Sequence, residues 1–393
     1  MPLILVPYVS RTIGVERYGI SEFTLEFATF FGTVLLYGYD FTMSKKLSRN
    51  RENKAYYAQL FWNVFYSRLA ISAVIIPLFW VTGTFFLDDL FSNKLLVFAF
   101  VFLISRLFSS WWFFQGMENI KWIAVGNFLI KALILGSVLI LVKSPNDYPF
   151  VVLAFGLSQL FVNLLAWLWI RQRYEIQLIR FRLLDVLQLL RSSFFVFLNE
   201  FLIMTFTTVN ILIVKSYLSP EELGLYAATI KVVIIIKNLV VQSLSKSLYP
   251  NLARAYKENK KAYKLKLNNF RNLLIIVLFA VGIFILLGRD LIVQVLFGNN
   301  FSEVSSLLMY VSFLPLFIGI SNIYGWQGLY ILNKEKTMSY ISLFAGIFSI
   351  VSLLLITEKY KITGVLLIRN ISEIMIFTLA YYFFKKALRS ETL

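Results

Sequence analysis

Six basic side chains sit deep within apolar stretches of this sequence: Arg68, Arg106 and Lys131 in the first half, Lys231, Lys237 and Arg369 in the second. Fewer acids lie at comparable depth: Glu26, Glu200 and Glu373, with Asp40 nearer the end of its stretch. A charge held at the centre of a bilayer costs about 2.5–3.5 kcal/mol on insertion scales. It persists only where it meets a partner, a water-filled cavity or a function. Cations in excess of acids suit an anionic ligand, and the planar guanidinium matches phosphate oxygens two at a time. Arg68, Arg106, Lys131 and Lys237 lie nearest mid-span and are expected to line a cationic, water-filled central cavity. Lys231 and Arg369 carry two open readings. Either they bind there too, or they snorkel toward the outer surface, with Arg369 pairing Glu373 four residues on. Glu200 and Glu373 are the candidates for coupling to an ion gradient.

Other chemistry is limited by what the chain lacks. There is no cysteine and no histidine. That removes disulfides, thiolate nucleophiles, imidazole bases and the common zinc sites, so any metal site would be all-oxygen. No nucleotide-sugar or cofactor-binding motif stands out. The expectation is a protein without cofactor, metal or catalytic step.

The elements that must hold these charges follow from hydropathy. The chain is 59% hydrophobic and only 15% charged, whereas a soluble domain carries about a quarter charged residues. Runs near the roughly 20 residues a spanning helix needs recur from end to end. They fall at about 20–43, 57–81, 92–114, 121–142, 149–170, 193–214, 223–247, 272–288, 305–330, 337–357 and 362–384. Leu95–Phe102 and Leu273–Leu287 are continuously apolar, unlike the alternating strands of a membrane barrel. The fold class expected is therefore an all-α, polytopic membrane protein.

The net charge of +17 is distributed by the positive-inside pattern, not as a nucleic-acid footprint. Basic clusters at Lys45–Lys54, Arg171–Arg191, Arg254–Arg271 and Lys385–Arg389 all fall on one side when the spans alternate. That side is taken as cytoplasmic. Met1–Val9 is apolar but too short to span, and is read as the outer end of a first helix whose beginning is missing. The intact protein would then have about twelve spans, with both termini cytoplasmic. The expected division is an N-terminal bundle over 1–170, a cytoplasmic amphipathic linker over 171–192, and a C-terminal bundle over 193–393. In Arg171–Arg191, Ile176, Ile179, Leu183, Leu184 and Leu187 have helical spacing, which predicts an amphipathic helix on the membrane surface.

A faint internal repeat supports two related halves. Ile4–Ser10 followed by Glu16–Ile20 parallels Leu212–Ser219 followed by Glu221–Leu225. Two six-helix bundles related by pseudo-twofold symmetry around a central site would match a common transporter plan. Pro315, Gly319, Gly325 and Gly328 share one span with Asn322 and Gln327, which predicts a bent segment. Tryptophans 111, 112, 122, 167 and 169 sit near the inner interface, as bilayer anchoring alone expects.

Trp112–Glu118 (WFFQGME) resembles the tryptophan–aromatic–Gln–Gly–x–Glu signature of O-antigen flippases in the multidrug/oligosaccharidyl-lipid/polysaccharide exporter superfamily. Pro7–Gly19 resembles the first outer loop of that family. Ser245–Arg254 resembles the end of its eighth span, with Pro250 expected to close the helix. The resemblance implies transport of a polyprenyl-pyrophosphate-linked oligosaccharide, an O-antigen or capsule repeat unit, across a bacterial inner membrane by alternating access. It implies as partners that lipid-linked sugar, membrane lipid and polysaccharide polymerase machinery, and no nucleic acid. A drug or small-solute exporter of the same superfamily is the alternative, disfavoured by the excess of buried cations. A membrane polysaccharide polymerase fits less well, because the outer connections, such as Thr82–Phe91 and Lys143–Tyr148, are short.

Overall fold

The computed structural model of the chain describes residues 2–86 and 93–390. Among these residues the regular structure is helical and contains no strand. Nothing in hydrocarbon replaces a missing backbone hydrogen bond, so helices that satisfy their own N–H and C=O groups are the stable solution. Nine helical stretches among the described residues are long and apolar enough to cross a membrane. Several contain more than one expected element. Glu335–Ser390 leaves helical geometry at Lys361, with φ of 48°, between the two spans expected there. Pro2–Leu36 does so at Gly14, with φ of 78°. The outer connection expected at Thr82–Phe91 lies partly outside the described residues.

Contacts divide the chain into two compact units. One comprises Ile20–Met204, and the other comprises Pro2–Gly19 with Thr205–Leu393. Helix α1 (Pro2–Leu36) therefore contributes to both.

The first unit continues with α2 (Tyr39–Ser48), α3 (Lys54–Phe86), α4 (Asn93–Ser105), α5 (Trp111–Gly116), α6 (Ile120–Leu141) and α7 (Tyr148–Arg173). The first part of α8 (Leu183–Tyr217) completes it. Its core at one end is aromatic: Tyr39, Phe61, Trp112, Phe113 and Trp167 pack together with Met43 and Leu47. The membrane helix that begins as α4 is interrupted. A tight 3₁₀ turn at Arg106–Phe108 and two non-helical serines separate it from α5. Exposed backbone at this depth must find partners. Asn163 on α7 donates to the Ser105 carbonyl at 3.0 Å, and the Arg68 guanidinium donates to the Ser109 carbonyl.

The segment after α7 departs from the expected surface helix. Residues 174–182 are not helical, and Glu175 takes a φ of 49°. Side chains of α3 claim the carbonyls that a helix would use. The Trp62 indole N–H donates to Gln177 O at 2.8 Å, and the Tyr66 hydroxyl to Ile179 O at 2.6 Å. Ile176 is buried, while Leu183, Leu184 and Leu187 open α8 exposed. Helical spacing alone did not register that competition.

The second unit carries α9 (Pro220–Ile236), α10 (Ser243–Glu258), α11 (Lys260–Leu296), α12 (Glu303–Val311), α13 (Leu314–Tyr324) and α14 (Glu335–Ser390). A core of Tyr263, Leu274, Leu278, Ile323, Leu329 and Phe384 joins α11, α13 and α14. The Asn259 side chain accepts from the amides of Lys261 and Ala262, starting α11. Pro250 does not close its helix as expected; α10 runs through it to Glu258. The bend expected around Pro315–Gly328 does form. Pro315 opens α13, and Gly325–Leu329 is wound as a π-helix. A second π-helix, Lys237–Gln242, joins α9 to α10.

The internal repeat has a direct physical reading within this unit. A Cβ added to Gly19 would lie 2.4 Å from the Gly224 amide nitrogen, and one added to Gly224 would lie 2.1 Å from Val15 O. The repeated glycines meet each other, and only residues without a side chain permit that approach. Nearby, the Arg11 guanidinium donates to Gln294 O at 2.8 Å and Val295 O at 2.9 Å, capping the C-terminal turn of α11.

Candidate functional site

The strongest gathering of buried charge lies in the first unit. Arg68 comes from α3, Asp40 from the start of α2, and Arg106 from the turn that ends α4. Arg68 is only 1% exposed. One of its guanidinium nitrogens donates to Ser109 O, and Nη2 lies 3.9 Å from Asp40 Oδ1. The Tyr39 ring stacks near its face, with the guanidinium carbon 5.8 Å from the ring centroid. The Tyr39 hydroxyl is held by Ser67, the residue before Arg68. Arg106 is half-buried and lies over the Phe102 ring at 4.5 Å. Its stem passes so close to Gly32 that a Cβ there would be 3.1 Å from its Cγ. Asp40 and the two arginines interact electrostatically as a group, and Glu200 on α8 interacts with Asp40.

Their hydrogen bonding is incomplete. Nε and Nη2 of Arg68, Nε of Arg106 and Oδ1 of Asp40 are buried without a hydrogen-bond partner. Buried groups of this kind are normally paired, and each that is not carries a desolvation cost. Arg68 and Arg106 face Asp40, with Glu200 interacting with that carboxylate. An anion with several oxygens could accept from these nitrogens, which is the chemistry of a phosphate or carboxylate ligand. Part of Arg68's role is structural, since it supports the broken backbone at Ser109.

The other expected positions are dispersed. Lys131 lies on an exposed face of α6, close in sequence to exposed Phe128 and Leu129, and is not drawn into the cluster. In the second unit Lys231 is half-buried on α9, and Lys237 begins the π-helix that follows. Arg369 and Glu373 share α14. Glu373 interacts with Arg369 and Lys237 and is hydrogen-bonded to Ser321, while Arg369 Nε is buried without a partner. Next to Ser321, Asn322 accepts from Ser245 Oγ at 2.7 Å, and Tyr263 donates to Gln327 O at 2.7 Å. No group of three or more acidic side chains able to hold a metal ion occurs among the described residues.

Sequence reasoning placed Asp40 at the margin, yet it is the counter-ion of both arginines. Its signal was an acid just inside an apolar run, one helix before Arg68. Tyr39, Ser67 and the Ser109 carbonyl were not singled out, because nothing in their spacing shows that they converge. The Trp112–Glu118 motif proves to be scaffolding for the same site. Trp112 and Phe113 are buried, Gly116 lies against Leu47 of α2, and Glu118 pairs with Arg51 at 2.5 Å. It fixes α5 against α2, the helix that carries Asp40.

Comparison with known proteins agrees with this architecture. The chain is 23% identical over 385 residues to the "Putative O-antigen transporter" of Escherichia coli strain K12, covering 98% of this chain and 92% of that protein. The Shigella dysenteriae protein of the same name is 21% identical over 95% of this chain and 93% of its own. Among solved structures, the lipid II flippase MurJ in an inward closed conformation matches with a TM-score of 0.74 at 14% identity, over 98% of this chain and 85% of that one. An inward-facing multidrug resistance MATE family transporter of the MOP superfamily matches at 0.70 and 13% identity, over 98% and 95%. These likenesses establish the fold: an all-α transporter fold with multiple membrane-crossing helices. The family described as polysaccharide biosynthesis protein matches residues 1–256, well over half of the sequence, and the chain belongs to that family.

Proposed function

We propose that this protein flips a polyprenyl-pyrophosphate-linked oligosaccharide, an O-antigen or capsule repeat unit, from the cytoplasmic to the periplasmic leaflet of a bacterial inner membrane. The observation that carries the reading is the Arg68–Arg106 pair, three of whose guanidinium nitrogens are buried without a hydrogen-bond partner. In this reading the pyrophosphate, or an acidic sugar, accepts from those nitrogens while the polyprenyl tail stays in lipid. On the same reading the site opens in turn to each side, as alternating access requires. Lys237, Lys231 and Arg369 are the candidate substrate cations within the C-terminal bundle, and Glu200 and Glu373 are the carboxylates available for ion coupling. The bundles at 1–170 and 193–393, joined by 171–192, act as the two moving parts. No covalent step is involved, and the C-terminus lies in the cytoplasm. Polysaccharide polymerase machinery receives the product.

The names of the full-length relatives support this substrate class, and the MurJ likeness supports a fold able to flip a lipid-linked sugar. A cavity for cationic drugs would need the opposite sign of charge. The test is complementation of a flippase deletion, with protein level in the membrane measured alongside surface glycan. Arg106→Gln should abolish most glycan display at normal protein level, and Arg106→Lys should retain part of it. Normal display from Arg106→Gln would overturn the reading.

A further inference from the structure

The connector 174–182 presents a combination of features that the transport reading does not use. It borders a cavity of about 760 Å³ lined by Lys54, Gln59, Glu175, Leu178, Arg180 and Arg182, among others. The walls of this cavity are built. Lys54 pairs with Glu175 at 2.5 Å, and Gln59 Nε2 donates to Asp185 at 3.0 Å. Trp62 and Tyr66 hold the connector's backbone from beneath. With both acids engaged by their own partners, Arg180 and Arg182 remain as exposed cations on the rim. Apolar side chains alternate with them. Leu178 is 69% exposed, and Phe181 is 53% exposed although its ring meets Tyr66 edge-on at 5.6 Å.

We propose that this cavity is a binding site for an anionic phospholipid of the cytoplasmic leaflet. The headgroup phosphate meets Arg180 and Arg182, and the acyl chains lie along Leu178, Phe181 and Leu184. Two features commit the site to lipid. The connector runs without interruption into α8, whose first residues Leu183, Leu184 and Leu187 are exposed, so cations and apolar groups sit together where a membrane helix begins. A soluble anion would use the arginines and leave Leu178, Phe181 and Leu184 in water. The charge also has the matching sign, since Arg171, Arg173 and Arg191 flank the same stretch. Basic residues close to an anionic membrane surface each add about 1 kcal/mol to attraction, a factor of about five in affinity.

The experiment is equilibrium binding of fluorescent phosphatidylglycerol to the purified full-length protein in neutral detergent. Unlabelled phosphatidylglycerol, phosphatidylcholine, a polyprenyl phosphate and inorganic phosphate serve as competitors. Phosphatidylglycerol alone should compete well. The double variant Arg180→Gln/Arg182→Gln should bind about tenfold more weakly, since exposed charge pairs contribute up to about 1 kcal/mol each. Arg180→Lys/Arg182→Lys should stay within a few-fold of the parent, and both should elute and melt as the parent does. Leu178→Ser/Phe181→Ser should weaken phosphatidylglycerol without exposing a phosphate response. Equal competition by inorganic phosphate would reduce the site to an anion patch and overturn the proposal. Preferential binding of the polyprenyl phosphate would assign the cavity to the transported lipid, and overturn it equally. The outcome is independent of the complementation result for Arg106, because none of these residues lies in the Arg68–Asp40–Arg106 cluster.

Discussion

The two units gather buried charge in different ways. In the first, Arg68 and Arg106 share one carboxylate and retain unpartnered guanidinium nitrogens. Their supports are rigid: a ring, a serine hydroxyl, a backbone carbonyl and an aromatic core. In the second, Glu373 sits among Arg369, Lys237 and Ser321, again one carboxylate between two cations. The supports there are less regular. Lys237 opens one π-helix, and Asn322 stands just before another. Such segments hold wider, weaker backbone geometry and frequently mark functional sites. The contrast is one of support: a rigidly held charge cluster in one unit, and charges carried beside irregular helix in the other.

The sharpest way to break the comparison is to remove Arg68. Arg68→Ala removes the donor to the Ser109 carbonyl and the neighbour of Asp40, and losing a charge-assisted hydrogen bond of this kind costs about 1.5–3 kcal/mol. The expected result is a large loss of folded protein, read by thermal unfolding in detergent and by membrane level. Adding Asp40→Asn to Arg68→Gln should recover part of that loss. No recovery would mean that Asp40 is not the counter-ion.

The next effect separates the units by function. Arg106→Gln should lower glycan display by tenfold or more at unchanged protein level, since a charge-assisted hydrogen bond contributes about 1.5–3 kcal/mol. Arg369→Gln should do less, because Glu373 and its neighbours can rearrange around the change. Equal losses from both variants would erase the distinction.

A smaller effect is expected where the repeats meet. Gly19→Ala drives a methyl group into the Gly224 backbone, and overpacking of this kind costs about 1–3 kcal/mol. The melting temperature should fall, while Gly136→Ala, which lies within α6 and meets nothing within 4 Å, leaves it unchanged or raises it slightly.

The smallest effect is on pH. The hydrogen bond from Lys54 holds the Glu175 carboxylate below its ordinary range. That contribution is present above the ordinary glutamate pKa and is lost as pH falls through the lowered folded value. Limited proteolysis of the connector should therefore speed up slightly on acidification, and Lys54→Met should remove the pH response. An unchanged response in Lys54→Met would assign it to another group.

Much of this protein was written in its composition. A chain so apolar cannot leave its backbone unpaired in hydrocarbon, so multiple membrane helices followed from local hydropathy alone. The depth of Arg68, Arg106 and Glu373 in their spans, and the bend near Gly325, were equally local properties. Tertiary structure decided what those residues meet. Asp40 lies beside Arg68, Lys131 remains on an exposed face, and Gly19 finds Gly224, because packing brings distant segments together and spacing along the chain carries no record of it. The connector shows the limit most plainly. The helical periodicity of Arg171–Arg191 was real, but Trp62 and Tyr66, more than a hundred residues away, offered its carbonyls better partners. Local pattern sets which structures are affordable in lipid, and long-range hydrogen bonds choose among them.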